Sequence, residues 1–245
     1  MEKTLAQLEA RVRALLQKIR VQSDVGSRSD LDQCPATTTT IIRRMRLLGQ
    51  RSSHILLLGD DDLLSLALSA TGARKGIAAI DLDERILQLI ESNSTRGSID
   101  LLKHDLRDAM PSSHRGSFDE VFTDPPYTLA GQLLFVHRAL VALRPVGPAD
   151  LYLCASRTYL TMHELDVVRS FLSHTGFELE EAYSDFNCYK APPDVRKDLK
   201  DRGYRSVTWL HSDLFHYTRR RLVPIPGIPA LGMANIYEYG TAATS

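Results

Sequence analysis

Four short clusters of chemically capable residues each follow an apolar run: Gly59-Asp60-Asp61-Asp62, Asp81-Leu82-Asp83, His104-Asp105 and Asp124-Pro125-Pro126-Tyr127. One glycine followed by three carboxylates repels a pyrophosphate and attracts a cation, which makes dinucleotides and nucleoside triphosphates poor ligands. Asp60 or Asp61 also suits the cap of a following helix, but three in succession exceed what a cap needs. Asp81 stands 22 residues after Gly59, the separation at which an acidic residue holds both hydroxyls of an adenosine ribose; a surface carboxylate at a strand end is the plainer alternative. Asp105 is placed to accept from an adenine amino group. Two prolines after Asp124 fix the backbone and remove two donors, aiming the Asp124 carboxylate and the Tyr127 ring. A carboxylate beside an aromatic face can hold an amine oriented and nucleophilic, where a purely structural turn would need neither group.

These clusters need a scaffold that brings strand ends together, and the hydrophobic pattern supplies one. Short apolar runs at 54–58, 77–80, 99–102, 121–122 and 151–154 alternate with helical patterns at 63–70, 86–90, 133–143 and 165–171. That alternation predicts an α/β chain with a mostly parallel sheet covered on both faces. In such a sheet ligands lie beyond the carboxyl ends of the strands, where all four clusters fall. Val207–Leu210 and Leu214–Tyr217 predict a closing hairpin; Asp185-Phe186-Asn187 and Tyr189 are expected after a sixth strand, lining the pocket or packing on their own aromatic rings.

Leu5, Leu8, Val12, Leu15, Leu16 and Ile19 predict an amphipathic N-terminal helix, either packed on the main domain or a second subunit, or acting as a lid. Residues 22–35 read as a connection, and Thr37–Arg44 as a helix start with threonine caps. The expected divisions are an N-terminal helical appendage over 1–48, a ligand-binding catalytic domain over 49–221 and a Pro/Gly-containing tail over 222–245, a surface strap or unstructured.

The chain has 245 residues, 30 Lys+Arg against 30 Asp+Glu and 43% hydrophobic residues. Zero net charge disfavours a generic nucleic-acid binder, and Arg219-Arg220-Arg221 reads as a solvated strand end. Cys34, Cys154 and Cys188 are too scattered for a disulfide framework or a zinc cage and fit a reducing compartment. The eight histidines lack metal-site spacing. No apolar run approaches the roughly 20 residues that cross a bilayer, and Glu2, Lys3 and Glu9 are not those of a signal peptide. The expectation is a cytoplasmic enzyme acting on a small molecule, with no metal, nucleic acid or membrane partner; a homodimer is left open.

Gly59, Asp81, Asp105 and Asp124-Pro-Pro-Tyr resemble the Rossmann-like S-adenosylmethionine (SAM) fold of class I methyltransferases, with its mostly parallel seven-stranded sheet, over roughly residues 50–220. A closer resemblance adds Leu31-Asp32-Gln33, Ala36-Thr37, Ile41-Ile42-Arg43-Arg44, Gly59-Asp60-Asp61-Asp62 and Asp124-Pro125-Pro126-Tyr127-Thr128: together these are similar to the catalytic domain of branched-chain polyamine synthases. That family transfers an aminopropyl group from decarboxylated SAM to spermidine and releases methylthioadenosine. Thr39 stands where the family pattern carries a glutamate, one amphipathic helix takes the place of an N-terminal domain, and the chain is neutral where a polycation site leads one to expect acidity. These departures put a related reaction first: cyclisation of SAM itself to azetidine-2-carboxylate, its α-amino nitrogen attacking its own γ-carbon. Aminopropyl transfer from decarboxylated SAM is the alternative, and SAM-dependent N-methyl transfer the third reading. The resemblance implies that Gly59, Asp81 and Leu82 hold the ribose side and Asp105 and Leu106 the adenine. Asp124 and Tyr127, framed by Pro125 and Pro126, would position the amine, with Asp124 the proton acceptor and Asp60 or Asp61 orienting it. Gln33, Thr37 and Arg43 would face the cofactor's methionyl end, where a carboxylate needs a helix start or an arginine.

Overall fold

A computed structural model describes residues 4–22, 34–49, 53–227 and 236. Two helices, α1 (Leu5–Gln22) and α2 (Thr38–Leu48), precede an alternating core: β1 (His54–Leu58), α3 (Leu64–Ser69), β2 (Gly76–Asp81), α4 (Glu84–Asn93), β3 (Asp100–Lys103), β4 (Glu120–Thr123), α5 (Leu129–Ala142), β5 (Asp150–Ala155), α6 (Met162–His174), β6 (Phe177–Lys190), α7 (Pro193–Asp201) and β7 (Trp209–Arg219). The strands form one sheet in the order β3-β2-β1-β4-β5-β7-β6, parallel from β3 through β5, with β7 antiparallel to both neighbours. This is the class I methyltransferase arrangement implied by the motifs. The strand order reverses between β1 and β4, so the loops after those two strands, which carry Gly59–Asp62 and Asp124–Tyr127, face each other.

Local chemistry explains the element ends. Ile55–Leu58 and Val121–Thr123 are buried on both faces, as central parallel strands must be. Thr37 caps α2 by accepting from the Thr40 amide, Asp83 caps α4, Thr128 caps α5, and Thr161 with Glu164 closes a capping box on α6. Helix α1 buries Leu8, Val12, Leu16 and Ile19 in the same core as Ile41, Met45 and Leu48 of α2. Among the described residues no helix is long and apolar enough to cross a membrane.

The end of the chain differs from the expected pattern. Val207–Leu210 and Leu214–Tyr217 do not form a hairpin: residues 209–219 are one strand, and the hairpin is β6 with β7. The polar His211-Ser212-Asp213 resembles a turn, but Ser212 accepts from Asn187 Nδ2 at 3.0 Å and Asp213 pairs with Arg157 at 2.8 Å, so both polar side chains are satisfied within the sheet. Asp185, Phe186, Asn187 and Tyr189 lie inside β6 rather than after it. Register shifts between Tyr183 and Asn187, with Asp185 at φ 48°, let the strand continue past a bulge.

Candidate active site

At the carboxyl ends of β1, β2, β3 and β4 lies a cavity of about 490 Å³, within the range of small-molecule sites. Seven aspartates line it: Asp61, Asp62, Asp81, Asp105, Asp124, Asp194 and Asp198. No lysine or arginine is among the described residues of the lining. Net charge over the whole chain therefore concealed a strongly anionic interior, which is why neutrality was a poor guide to the ligand.

The centre is organised by Arg44, which α2 buries completely under the cavity. Its guanidinium donates to Asp62 Oδ2 at 2.6 Å and Asp124 Oδ2 at 2.7 Å, to Asn187 Oδ1 at 2.9 Å and to the Tyr189 hydroxyl at 2.9 Å, and lies over the Phe122 ring at 4.9 Å. Asp124 also accepts from the Tyr127 hydroxyl at 2.9 Å on Oδ1 and from Tyr189 at 2.5 Å on Oδ2. Both oxygens of Asp124 are thus engaged, and the group is aimed by three partners. Burial pushes the Tyr127 and Tyr189 hydroxyls well above the ordinary phenol range, so both act as neutral donors at any working pH.

The three carboxylates after Gly59 separate sharply. Asp60 turns away from the cavity and serves as an N-terminal cap: its Oδ1 accepts from Leu64 at 2.7 Å, Ser65 reaches its Oδ2 at 3.1 Å, and burial lifts its pKa to about 8. The structure therefore corrects its expected place beside the reacting amine, because Leu63, at φ 62°, brings the start of α3 onto this carboxyl. Asp62 is held by Arg44 and by the Ala36 amide at 2.6 Å. Asp61 faces the cavity with no hydrogen-bond or ion-pair partner among the described residues; burial, with Asp62, Asp81 and Asp124 nearby, raises its pKa well above the carboxylate range. The geometry predicts that Asp60→Asn costs about 1 kcal/mol of stability, a cap-sized effect, while turnover changes only a few-fold. Denaturant melts beside steady-state rates check this, and a loss of turnover comparable with an Asp61 variant would contradict it.

At the end of β2, Asp81 accepts from the Asp60 and Asp83 amides at 3.0 and 2.8 Å, which fixes its carboxylate in the cavity wall beside Leu82. Asp105 lines the cavity with Leu106, but Arg107 grips it at 2.5 Å and lowers its pKa, leaving only its remaining lone pairs for a ligand. Arg138 of α5 steadies that loop by donating to the Leu106 and Arg107 carbonyls at 2.7 and 3.2 Å. Gly59, at φ 76°, Pro125 and Pro126 complete the floor.

Two expected contacts lie elsewhere. The Thr37 hydroxyl caps α2, and Arg43 donates to the Phe186 carbonyl at 2.8 Å and stacks on its ring at 4.4 Å; neither lines the cavity. Gln33 lies outside the described residues. Cys34, Tyr159, Tyr189, Asp194, Val195, Asp198 and Ile236 line the cavity without having been singled out for it, Tyr189 excepted as a possible pocket residue. The signal for Arg44 was present: Ile41, Arg44, Met45 and Leu48 share one helical stripe, so the arginine had to enter the core with an anionic partner.

Comparison with known proteins adds an independent line. The sequence matches the profile of the branched-chain polyamine synthase A C-terminal domain over residues 16–202. It is 36% identical over 184 residues to an uncharacterised protein of Methanocaldococcus jannaschii, covering 72% of this chain and 46% of that one. It is 31% identical over 165 residues to the N(4)-bis(aminopropyl)spermidine synthase of Thermococcus kodakarensis, covering 64% and 47%. The chain spans about half the length of these curated relatives. Among solved structures, a variant of the branched-chain polyamine synthase of Thermus thermophilus, in complex with N4-aminopropylspermidine and 5'-methylthioadenosine, superposes with a TM-score of 0.79 at 21% identity, over 95% of this chain and 68% of that one. At that identity the likeness establishes the fold.

Proposed function

The chain belongs to the branched-chain polyamine synthase A C-terminal domain family, and on that premise we propose that its cavity transfers the aminopropyl group of decarboxylated SAM to a nitrogen of a polyamine, releasing methylthioadenosine. The observation that carries this reading is the lining: among the described residues it has seven aspartates and no lysine or arginine. A donor bearing a sulfonium and an ammonium, together with an acceptor bearing further ammonium groups, matches such a wall.

The same lining argues against cyclisation of SAM, the first expectation from sequence. SAM carries an α-carboxylate that needs a cation or a free helix start. Arg43 is turned to Phe186, Thr37 closes its own helix, and Arg44 is fully engaged by Asp62, Asp124, Asn187 and Tyr189. A carboxylate brought into this cavity would face aspartates at close range, a repulsion of several kcal/mol.

In the proposed reaction Asp81 holds the ribose hydroxyls, with Leu82, Asp105 and Leu106 along the nucleoside. Asp124 and Tyr127, set by Arg44 and Tyr189, orient the acceptor nitrogen. That nitrogen, an ammonium in solution, first gives its proton to Asp61; the freed lone pair attacks the propyl carbon bonded to sulfur, the carbon–sulfur bond breaks, its electron pair stays on sulfur, and methylthioadenosine leaves neutral. Positive charge passes from sulfur to nitrogen, where the surrounding carboxylates stabilise it as it develops. Asp61 is placed to take that first proton: it has no hydrogen-bond or ion-pair partner among the described residues, and burial raises its pKa, which makes it a stronger base than an ordinary carboxylate. Asp124 is less suited to that step, because Arg44, Tyr127 and Tyr189 already engage its lone pairs.

Mass spectrometry of the protein incubated with decarboxylated SAM and spermidine tests the proposal. The expected result is a product one aminopropyl unit heavier than spermidine and an equal amount of methylthioadenosine; formation of neither product would overturn it.

A further inference from the structure

The outer end of the cavity is built differently from its centre. Helix α7 presents Asp194, Val195 and Asp198 to the cavity along one face. Asp61 and Asp194 both act on the Cys34 thiol, which burial and those charges push up to about 12, so α7 and the reaction centre bound a single interior. Asp198 already holds a cation, whereas Asp194 has none among the described residues: Arg202, one turn on, donates from Nε to the Asp198 Oδ2 at 2.8 Å. The Arg202 guanidinium also lies over the Tyr159 ring, 4.8 Å from its centroid. Tyr159 in turn stacks on Tyr127, centroids 6.3 Å apart and planes 27° from parallel, and Tyr127 bonds Asp124. A continuous row of anionic and aromatic groups therefore runs outward from Asp124 through Tyr127 and Tyr159 to Asp198, with the protein's own cation at its far end.

An ordinary exposed i,i+4 ion pair contributes little to stability and has no bearing on ligand choice. Arg202 differs because both groups it touches, Asp198 and Tyr159, are walls of the cavity. Building on the aminopropyl-transfer reading, we infer that Arg202 is a resident cation that sets acceptor length: it fills the outermost cation position, between Asp198 and Tyr159. A triamine is served by the inner carboxylates. A tetra-amine reaches the outer position and must displace the guanidinium from a carboxylate and a ring face at once.

The test measures binding of spermidine and of spermine to the full chain by calorimetry, alongside methylthioadenosine release. Wild type should favour spermidine. Arg202→Gln, which removes the charge and shortens the side chain while keeping it polar, should tighten spermine about fivefold, the scale of a lost partly exposed ion pair with its ring contact, and leave spermidine within twofold. Arg202→Lys should restore the wild-type ratio, and Asp198→Asn combined with Arg202→Gln should abolish the gain, because the vacated carboxylate is then missing. An unchanged spermine-to-spermidine ratio in folded Arg202→Gln overturns the inference, as does a gain that survives loss of Asp198. Binding with an altered ratio but no methylthioadenosine would overturn the reaction while upholding the role of Arg202. If neither amine binds wild type, both fall.

Discussion

Arg44→Met is expected to be the most damaging single substitution in the molecule. Methionine fills most of the arginine's volume, so the loss is chiefly electrostatic: Asp62 and Asp124, with 5% and 14% of their side chains exposed, are left without their shared counter-charge. Removing one partner of a buried ion pair costs about 3–5 kcal/mol, and here two carboxylates lose the same partner. Calorimetric melting should show a large fall in Tm, with partial recovery on acidification, because Asp62, whose pKa burial already raises, no longer repels its neighbour once protonated. At moderate temperature, where the variant remains folded, turnover should still be lost, since Asp124 is then aimed only by Tyr127 and Tyr189. A variant that melts close to wild type would contradict the assignment of Arg44 as the group that holds the centre together.

Asp61→Asn should separate chemistry from stability. Asp61 has no protein partner among the described residues, so the substitution breaks no ion pair and relieves repulsion from Asp62, Asp81 and Asp124. The folded protein should be as stable as wild type or slightly more so at neutral pH. Turnover should nevertheless fall about 10²- to 10⁴-fold, the usual contribution of a positioned proton acceptor. The pH profile carries the sign. Burial raises the Asp61 pKa in the folded protein, so the group is protonated and idle at low pH and becomes competent as pH rises through that raised value. Wild-type turnover should accordingly climb with pH, and the acidic limb due to this group should vanish in the asparagine variant. An asparagine variant retaining wild-type turnover would remove Asp61 from the mechanism.

Much of this architecture was legible because parallel strands are periodic and bounded by glycine and proline. The runs 54–58, 77–80 and 151–154 correspond closely to β1, β2 and β5, and the residues after them fall at the strand ends, where the fold places ligands. The closing hairpin was misread because His211-Ser212-Asp213 has turn composition; only the partners across the sheet, Asn187 and Arg157, show that those polar groups are satisfied inside a strand. Within the site, Asp81, Asp124 and Tyr127 could be picked from local context, whereas Asp60 and Asp61 could not be told apart. Which one caps α3 depends on a single left-handed residue, Leu63, that no periodicity announces. Asp194, Asp198 and Tyr159 reach the cavity by tertiary packing from distant stretches. Arg44 carried a readable signal, a charge on the apolar stripe of α2, but its partners Asp62, Asp124, Asn187 and Tyr189 come together only in the fold.

The central claim is that an anionic cavity, with no free cation among the described residues, selects a donor lacking a carboxylate and an acceptor rich in ammonium groups. Methylthioadenosine release measured side by side from decarboxylated SAM with spermidine, and from SAM alone, tests it most directly. The expected result is turnover of the first mixture and none of the second above the uncatalysed rate. Methylthioadenosine and azetidine-2-carboxylate formed from SAM alone, with decarboxylated SAM and spermidine left unchanged, would contradict it.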